Sequence, residues 1–144
     1  MDNTKGLSVL CWNVNSLRKR FIDMQQYVMA NNIDVICLQE TLIDDSFNPR
    51  FSNYNRFILE SKDNIRGLVT YVNKNIPAQL LIANFGNDIE SISIRLTLES
   101  YALNIINIYV PQDKLEPNEF PDIIYEEPTF LMGTSMLGIL CLVR

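Results

Sequence analysis

The chain contains no histidine. That absence excludes a Ser-His-Asp triad, a Cys-His nucleophile pair and a His-x-x-x-His metal site. No Cys-x-x-Cys pair occurs either, so the usual donors of a structural zinc site are missing. The cysteines number three, an odd count. Cys11 and Cys37 fall inside apolar strand patterns and Cys141 lies in the tail, which reads as reduced core thiols in an intracellular protein, nuclear or cytoplasmic. No apolar signal core follows Met1-Asp2-Asn3-Thr4-Lys5, so secretion is not expected. The apolar run over residues 130–143 is shorter than the roughly 20 residues that span a bilayer, so no membrane partner is expected. An excess of positive charge is also lacking. Twelve basic against seventeen acidic residues give a net charge of -5. This balance argues against a histone-like binder of nucleic acid, but leaves room for an enzyme on nucleic acid with a local basic patch or a bound metal. There is no internal repeat and no low-complexity tract. At 144 residues and 47% hydrophobic, the chain is one domain or part of one, with enough apolar material for a core.

What is present begins with a buried strand over residues 7–13. Asn15 or Ser16 can cap the helix that follows, whose apolar face carries Leu17, Phe21, Met24 and Val28 at helical spacing. Asn31-Asn32 ends it, and Ile33 to Leu38 is a second apolar strand of the kind covered on both faces. Strand, helix and strand make a crossover unit. Turn chemistry follows at Asp44-Asp45-Ser46-Phe47-Asn48-Pro49, read as a loop and nothing more. Short strands are expected at 57–59, 68–72 and 80–82. Ile92, Ile94, Leu96 and Leu98 alternate with Ser91, Ser93, Arg95 and Thr97, which predicts a strand with one buried and one wet face. Leu103 to Val110 is another strand. Residues 112–128 are polar and broken by Pro117, Pro121 and Pro128. The run over 130–143 reads as a core strand plus an irregular tail. The order of elements predicts an α/β sandwich of two mixed sheets with helices outside.

Asn13 and Glu40 sit where the two apolar strands run out. If those strands are parallel neighbours, an amide and a carboxylate converge on one rim of the sheet, a plausible site for a hard cation and a phosphate. Each residue has a plainer reading too: Asn13 as a helix-entry turn, Glu40 as a solvated strand-end charge. Arg18-Lys19-Arg20 opens the helix and suits either a DNA backbone or a solvated face. Arg66-Gly67 reads as a tight turn.

Four segments in order resemble the endonuclease/exonuclease/phosphatase superfamily: Trp12-Asn13-Val14-Asn15-Ser16-Leu17-Arg18, Leu38-Gln39-Glu40-Thr41, Arg66 to Val72, and Asn107-Ile108-Tyr109-Val110-Pro111. The resemblance is closest to the apurinic-type endonuclease domain of non-LTR retrotransposons and covers residues 7–111. It implies a four-layer α-β-β-α sandwich and metal-dependent cleavage of phosphodiester bonds in DNA, with Mg2+ as cofactor and Mn2+ as the alternative. By position, Glu40 is implied as metal ligand and Asn13 as a catalytic residue that holds metal or scissile phosphate. Tyr109 is implied as the catalytic phenol at the phosphate or the attacking water, and Arg18 and Gln112 as substrate-binding residues. The family's Gly-Asp-x-Asn motif is matched only by Gly133, with Thr134 where the aspartate stands and Met136 where the asparagine stands. The closing Asp-His pair of the family is not reached, and Asn15 stands where some relatives carry an aspartate.

The expectation is a single partial domain, incomplete at its C-terminal end, with residues 112–144 divergent. It would be a truncated copy with weak activity or none. DNA and a fused reverse transcriptase are the implied partners, and self-association through exposed sheet edges is expected. Two alternatives remain: a non-catalytic remnant that binds weakly, and another phosphoesterase of the same superfamily.

Overall fold

The computed structural model describes residues 6–60, 66–83, 89–110, 127–135 and 138–143. Strand β1 (Val9–Asn13), helix α1 (Leu17–Asn31) and strand β2 (Val35–Gln39) form the expected crossover, with β1 and β2 paired in parallel. Leu17, Met24 and Val28 bury one stripe of α1, and Phe21 packs beside them. Ser16 occupies the cap position but makes no side-chain capping bond. The far end stops at Asn32, whose left-handed backbone (φ 50°) is a conformation asparagine tolerates better than most residues. All five positions of β2 are buried, which is why its sequence is a continuous apolar run.

Seven further strands follow among the described residues: β3 (Tyr54–Leu59), β4 (Leu68–Asn73), β5 (Ala78–Ala83), β6 (Glu90–Thr97), β7 (Ala102–Val110), β8 (Thr129–Ser135) and β9 (Gly138–Val143). They build two mixed sheets, ordered β1-β2-β4-β3 and β5-β6-β7-β8-β9. Within the first, β1 and β2 are parallel and the other pairs antiparallel. In the second, β7 and β8 are parallel and the other pairs antiparallel.

The sheets pack face to face through Val35, Cys37, Leu68 and Val72 on one side and Ile92, Ile94, Leu96 and Ile105 on the other. Helix α1 covers the outer face of the first sheet against Ile36, Leu38, Val69 and Tyr71. A separate buried cluster of Ile106, Ile108, Val110 and Leu131 occupies the outer face of the second sheet. The helical layer expected there falls on residues outside the described ones. Cys11 and Cys37 are thiols outside any disulfide, and burial pushes that of Cys37 far up, so it stays protonated. Among the described residues no helix is long and apolar enough to cross a membrane.

Two expectations need correction. The alternate face of β6 is only partly wet, because Ser91 and Ser93 are fully buried while Thr97 is exposed. Arg95, on the same face, pairs with Glu127 at 2.8 Å. The tail is not irregular either. Residues 138–143 form β9, which returns antiparallel along β8 as the edge of the second sheet. An apolar run of that length does not reveal where one strand stops and the next begins.

Candidate active site

Between the sheets, strand alternation decides which side chains face the shared core. On β1 that phase is Val9, Cys11, Asn13; on β2 it is Val35, Cys37, Gln39; on β4 it is Leu68, Thr70, Val72. On β6 it is Glu90, Ile92, Ile94, Leu96, and on β7 it is Leu103, Ile105, Asn107, Tyr109. Apolar residues fill most of this interface, but it turns polar toward the rim where β1 and β2 end.

The first polar layer is a fully buried seam. Gln39 Nε2 donates to Asn107 Oδ1 at 2.7 Å and to the Cys37 carbonyl at 3.3 Å. Asn107 Nδ2 in turn reaches the carbonyls of Leu38 (3.2 Å) and Val69 (3.1 Å) and the hydroxyl of Thr70 (3.1 Å). One amide pair thus ties β2 and β4 of one sheet to β7 of the other.

The second layer is the rim itself. The Tyr109 phenol lies within interaction range of the Glu40 carboxylate of the first sheet. Burial, and then the Glu40 carboxylate, push the phenol up to about 12, with Arg66 opposing. Glu90 is the cross-strand neighbour of Tyr109, and its Oε1 accepts the Gly67 N–H of the first sheet at 3.0 Å. Burial raises the Glu90 carboxyl, the Gly67 N–H and Arg66 oppose the rise, and the Glu40 charge adds to it.

The backbone around Glu40 is held in a sparsely populated conformation. Asn15 (φ 44°), Ser16 (φ 85°), Glu40 (φ 51°) and Leu42 (φ 52°) are all left-handed, beside Gly67 (φ 115°). For residues with a Cβ such angles are costly and persist where the surroundings impose them. Here the imposing bonds are Ser16 N–H to Glu40 O (2.9 Å), Leu17 N–H to Thr41 O (3.0 Å), and Thr41 N–H to Gly67 O (3.1 Å). They continue the sheet past its strand ends and fix the segment that carries Glu40.

Of the residues singled out in the sequence, Asn13 and Glu40 lie at this rim, since Asn13 is in register with Gln39. Asn13 Oδ1 accepts the Asn15 N–H at 3.2 Å, so the residue also shapes the turn into α1. Arg18 is occupied nearby. Its guanidinium donates to Ser46 Oγ at 2.7 Å, lies 4.7 Å from the centre of the Phe47 ring, and is 4.0 Å from Asp44 Oδ1. Asp44 does more than mark a loop, because its Oδ1 also accepts the N–H groups of Ser46 and Phe47. Gln112 and Met136 lie outside the described residues. Thr134 stands in register with Tyr109, one strand away from it.

Glu90 and Arg66 escaped sequence reasoning as members of this group. A signal for Glu90 existed: a charged residue in the same phase as Ile92, Ile94 and Leu96. Glu40 and Glu90 feel each other's charge here, and Asn13 ends the strand beside Gln39; oxygen donors of this kind suit a hard cation that keeps much of its water and needs one or two carboxylates. Among the described residues no group of three His, Cys, Asp or Glu side chains surrounds a metal-sized gap.

The sequence pattern of the Endonuclease/Exonuclease/phosphatase family matches residues 10–130. No curated protein matches the chain. Among solved structures, the AP endonuclease LMAP from Leishmania major aligns with a TM-score of 0.60 at 22% identity, over 76% of this chain and 41% of that one. D. rerio TDP2 complexed with single strand DNA product aligns with a TM-score of 0.63 at 16% identity, over 88% of this chain and 59% of that one. The endonuclease domain of TRAS1, a telomere-specific non-LTR retrotransposon, aligns with a TM-score of 0.60 at 12% identity, over 89% and 58% respectively. At these identities the likeness is one of fold, and the chain spans 41% to 59% of the length of these neighbours. With the family pattern running from β1 through both sheets to β8, the chain belongs to the Endonuclease/Exonuclease/phosphatase family.

Proposed function

We propose that this chain is a phosphodiesterase domain of the retrotransposon endonuclease type, which nicks DNA with Mg2+ as cofactor and Mn2+ as a substitute. The observation that carries the reading is the meeting of Glu40 of one sheet with Glu90 and Tyr109 of the other at a rim of strained backbone, where the Gly67 N–H of the first sheet donates to Glu90 at 3.0 Å. Glu40 and Asn13 would hold the cation, with Glu90 adding negative charge beside them. Bound there, a divalent cation would polarise a phosphoryl oxygen and offset the charge that develops on it.

The chain's own residues do the rest. Glu40 anchors the site from the first sheet. Tyr109 keeps its proton at neutral pH, so it acts as a hydrogen-bond donor to Glu40 or to a phosphate oxygen, and not as a base. The group that activates water is weak in this chain. Thr134 stands where the family's aspartate would be, and a threonine hydroxyl is no base near neutral pH without a partner. Turnover is therefore slow. That same threonine favours a second reading, a DNA-binding remnant without activity. DNA is the substrate and partner in both readings, and a reverse transcriptase is the neighbouring domain of an intact element.

Nicking of supercoiled plasmid separates the two. The wild-type chain is expected to nick slowly with Mg2+ and not with chelator, Glu40→Gln to be inactive, and Thr134→Asp with Met136→Asn to nick at least tenfold faster. Equal activity of wild type and Glu40→Gln would overturn the proposal, and no Mg2+-dependent nicking by any of the three would leave the remnant.

A further inference from the structure

A phosphodiester entering this rim adds a third negative charge to two carboxylates, more than the divalent cation proposed above offsets, so a positive side chain of the protein is called for. The sequence candidate, Arg18, is turned to the 44–47 loop, where it meets Ser46, Phe47 and Asp44. Arg66 occupies a different place. It immediately precedes β4, and its carbonyl accepts the Leu42 N–H at 3.1 Å while the next residue, Gly67, accepts the Thr41 N–H at 3.1 Å. Those two bonds make it a direct cross-strand neighbour of the segment that follows Glu40. The adjoining Gly67 N–H is clamped by Glu90. Arg66 is half-buried, and its charge is felt by both Glu90 and Tyr109, groups delivered by the opposite sheet.

We infer that Arg66 grips a backbone phosphate of the DNA strand at this rim, as a substrate-positioning residue. The inference rests on the function proposed above and adds the residue that holds the strand. A guanidinium presents two parallel N–H groups to two phosphate oxygens, a geometry that lysine does not reproduce. Its backbone is fixed on both sides of the peptide, so the fork is carried on a rigid base.

The test is binding of a fluorescently labelled 12-nucleotide single strand, by anisotropy, in chelator so that no turnover occurs. The proteins are wild type, Arg66→Gln, Arg66→Lys and Lys74→Gln, a control at the exposed far end of β4. Arg66→Gln is expected to weaken binding about fivefold or more and to flatten the slope of log affinity against log salt by about one. Arg66→Lys should keep the slope yet bind about two- to threefold more weakly, and Lys74→Gln should match wild type. Should Arg66→Gln melt early, Arg66→Lys decides: weaker binding at a normal melting temperature supports the assignment, and unchanged binding overturns it. Wild-type affinity and slope in a folded Arg66→Gln also overturn it while leaving the nuclease reading intact. A wild-type chain that binds no DNA in chelator also overturns it, and the nuclease reading is then decided by the Mg2+-dependent nicking assay alone.

Discussion

Gly133 marks how closely β7 and β8 approach beside the rim. A Cβ placed on it would lie 2.1 Å from the Ile108 carbonyl oxygen and 2.5 Å from Ile108 Cγ2. The first of these is backbone in the centre of a sheet and has nowhere to go. Gly133→Ala is therefore expected to cost about 2 kcal/mol or more, read as a lower urea midpoint with an unchanged slope. This is a physical reason for a glycine at that position, separate from any chemistry at Thr134. Other residues at the site differ in how far the sequence exposes them. Asn13 and Glu40 are legible because each interrupts an apolar run at its end. Glu90 and Arg66 are not, because what makes them neighbours is the packing of one sheet on the other. The Gly67 N–H donates its hydrogen bond to a side chain 23 residues further along the chain. Local pattern carries no information about such a pairing.

At the scale of elements, the strands show where periodicity succeeds and where packing overrides it. Strand β2 was readable because burial on both faces leaves a continuous apolar run. In β6 the polar partners of the alternation, Ser91 and Ser93, are small enough to be buried, so the same pattern that suggests a wet face belongs to a largely covered strand. The amide seam is the counterpart: polar residues at the core phase of β2 and β7, where alternation calls for apolar ones. Breaking it should be expensive. Asn107→Leu removes the shortest bond of Gln39 and the donor to the Leu38 and Val69 carbonyls, leaving buried polar groups short of partners. The expected loss is about 3 kcal/mol by urea unfolding. Gln39→Leu in the same chain should restore part of it, since removing both partners of a buried bond costs less than orphaning one. A double variant as unstable as the sum of the singles would show that the seam does not act as a unit.

At the scale of the molecule, the candidate site straddles the two sheets: Glu40 comes from the first, Tyr109 and Glu90 from the second. Two carboxylates facing each other across that junction repel, in a chain whose net charge is already -5. Whatever neutralises them stabilises the packing of the sheets, because the unfolded chain does not hold them together. A cation that binds the folded state alone adds about 1.4 kcal/mol at ten times its dissociation constant. For a chain of this size that corresponds to a rise in melting temperature of about 5 °C. Mg2+ should therefore raise the midpoint of a thermal melt in the absence of DNA. Glu40→Gln should melt at or above the wild-type temperature without metal, because one of the repelling charges is gone, and should gain little from Mg2+. A wild-type melt that ignores Mg2+ up to tens of millimolar would mean that the rim does not bind the cation, and that the two glutamates are held together by the fold for another reason.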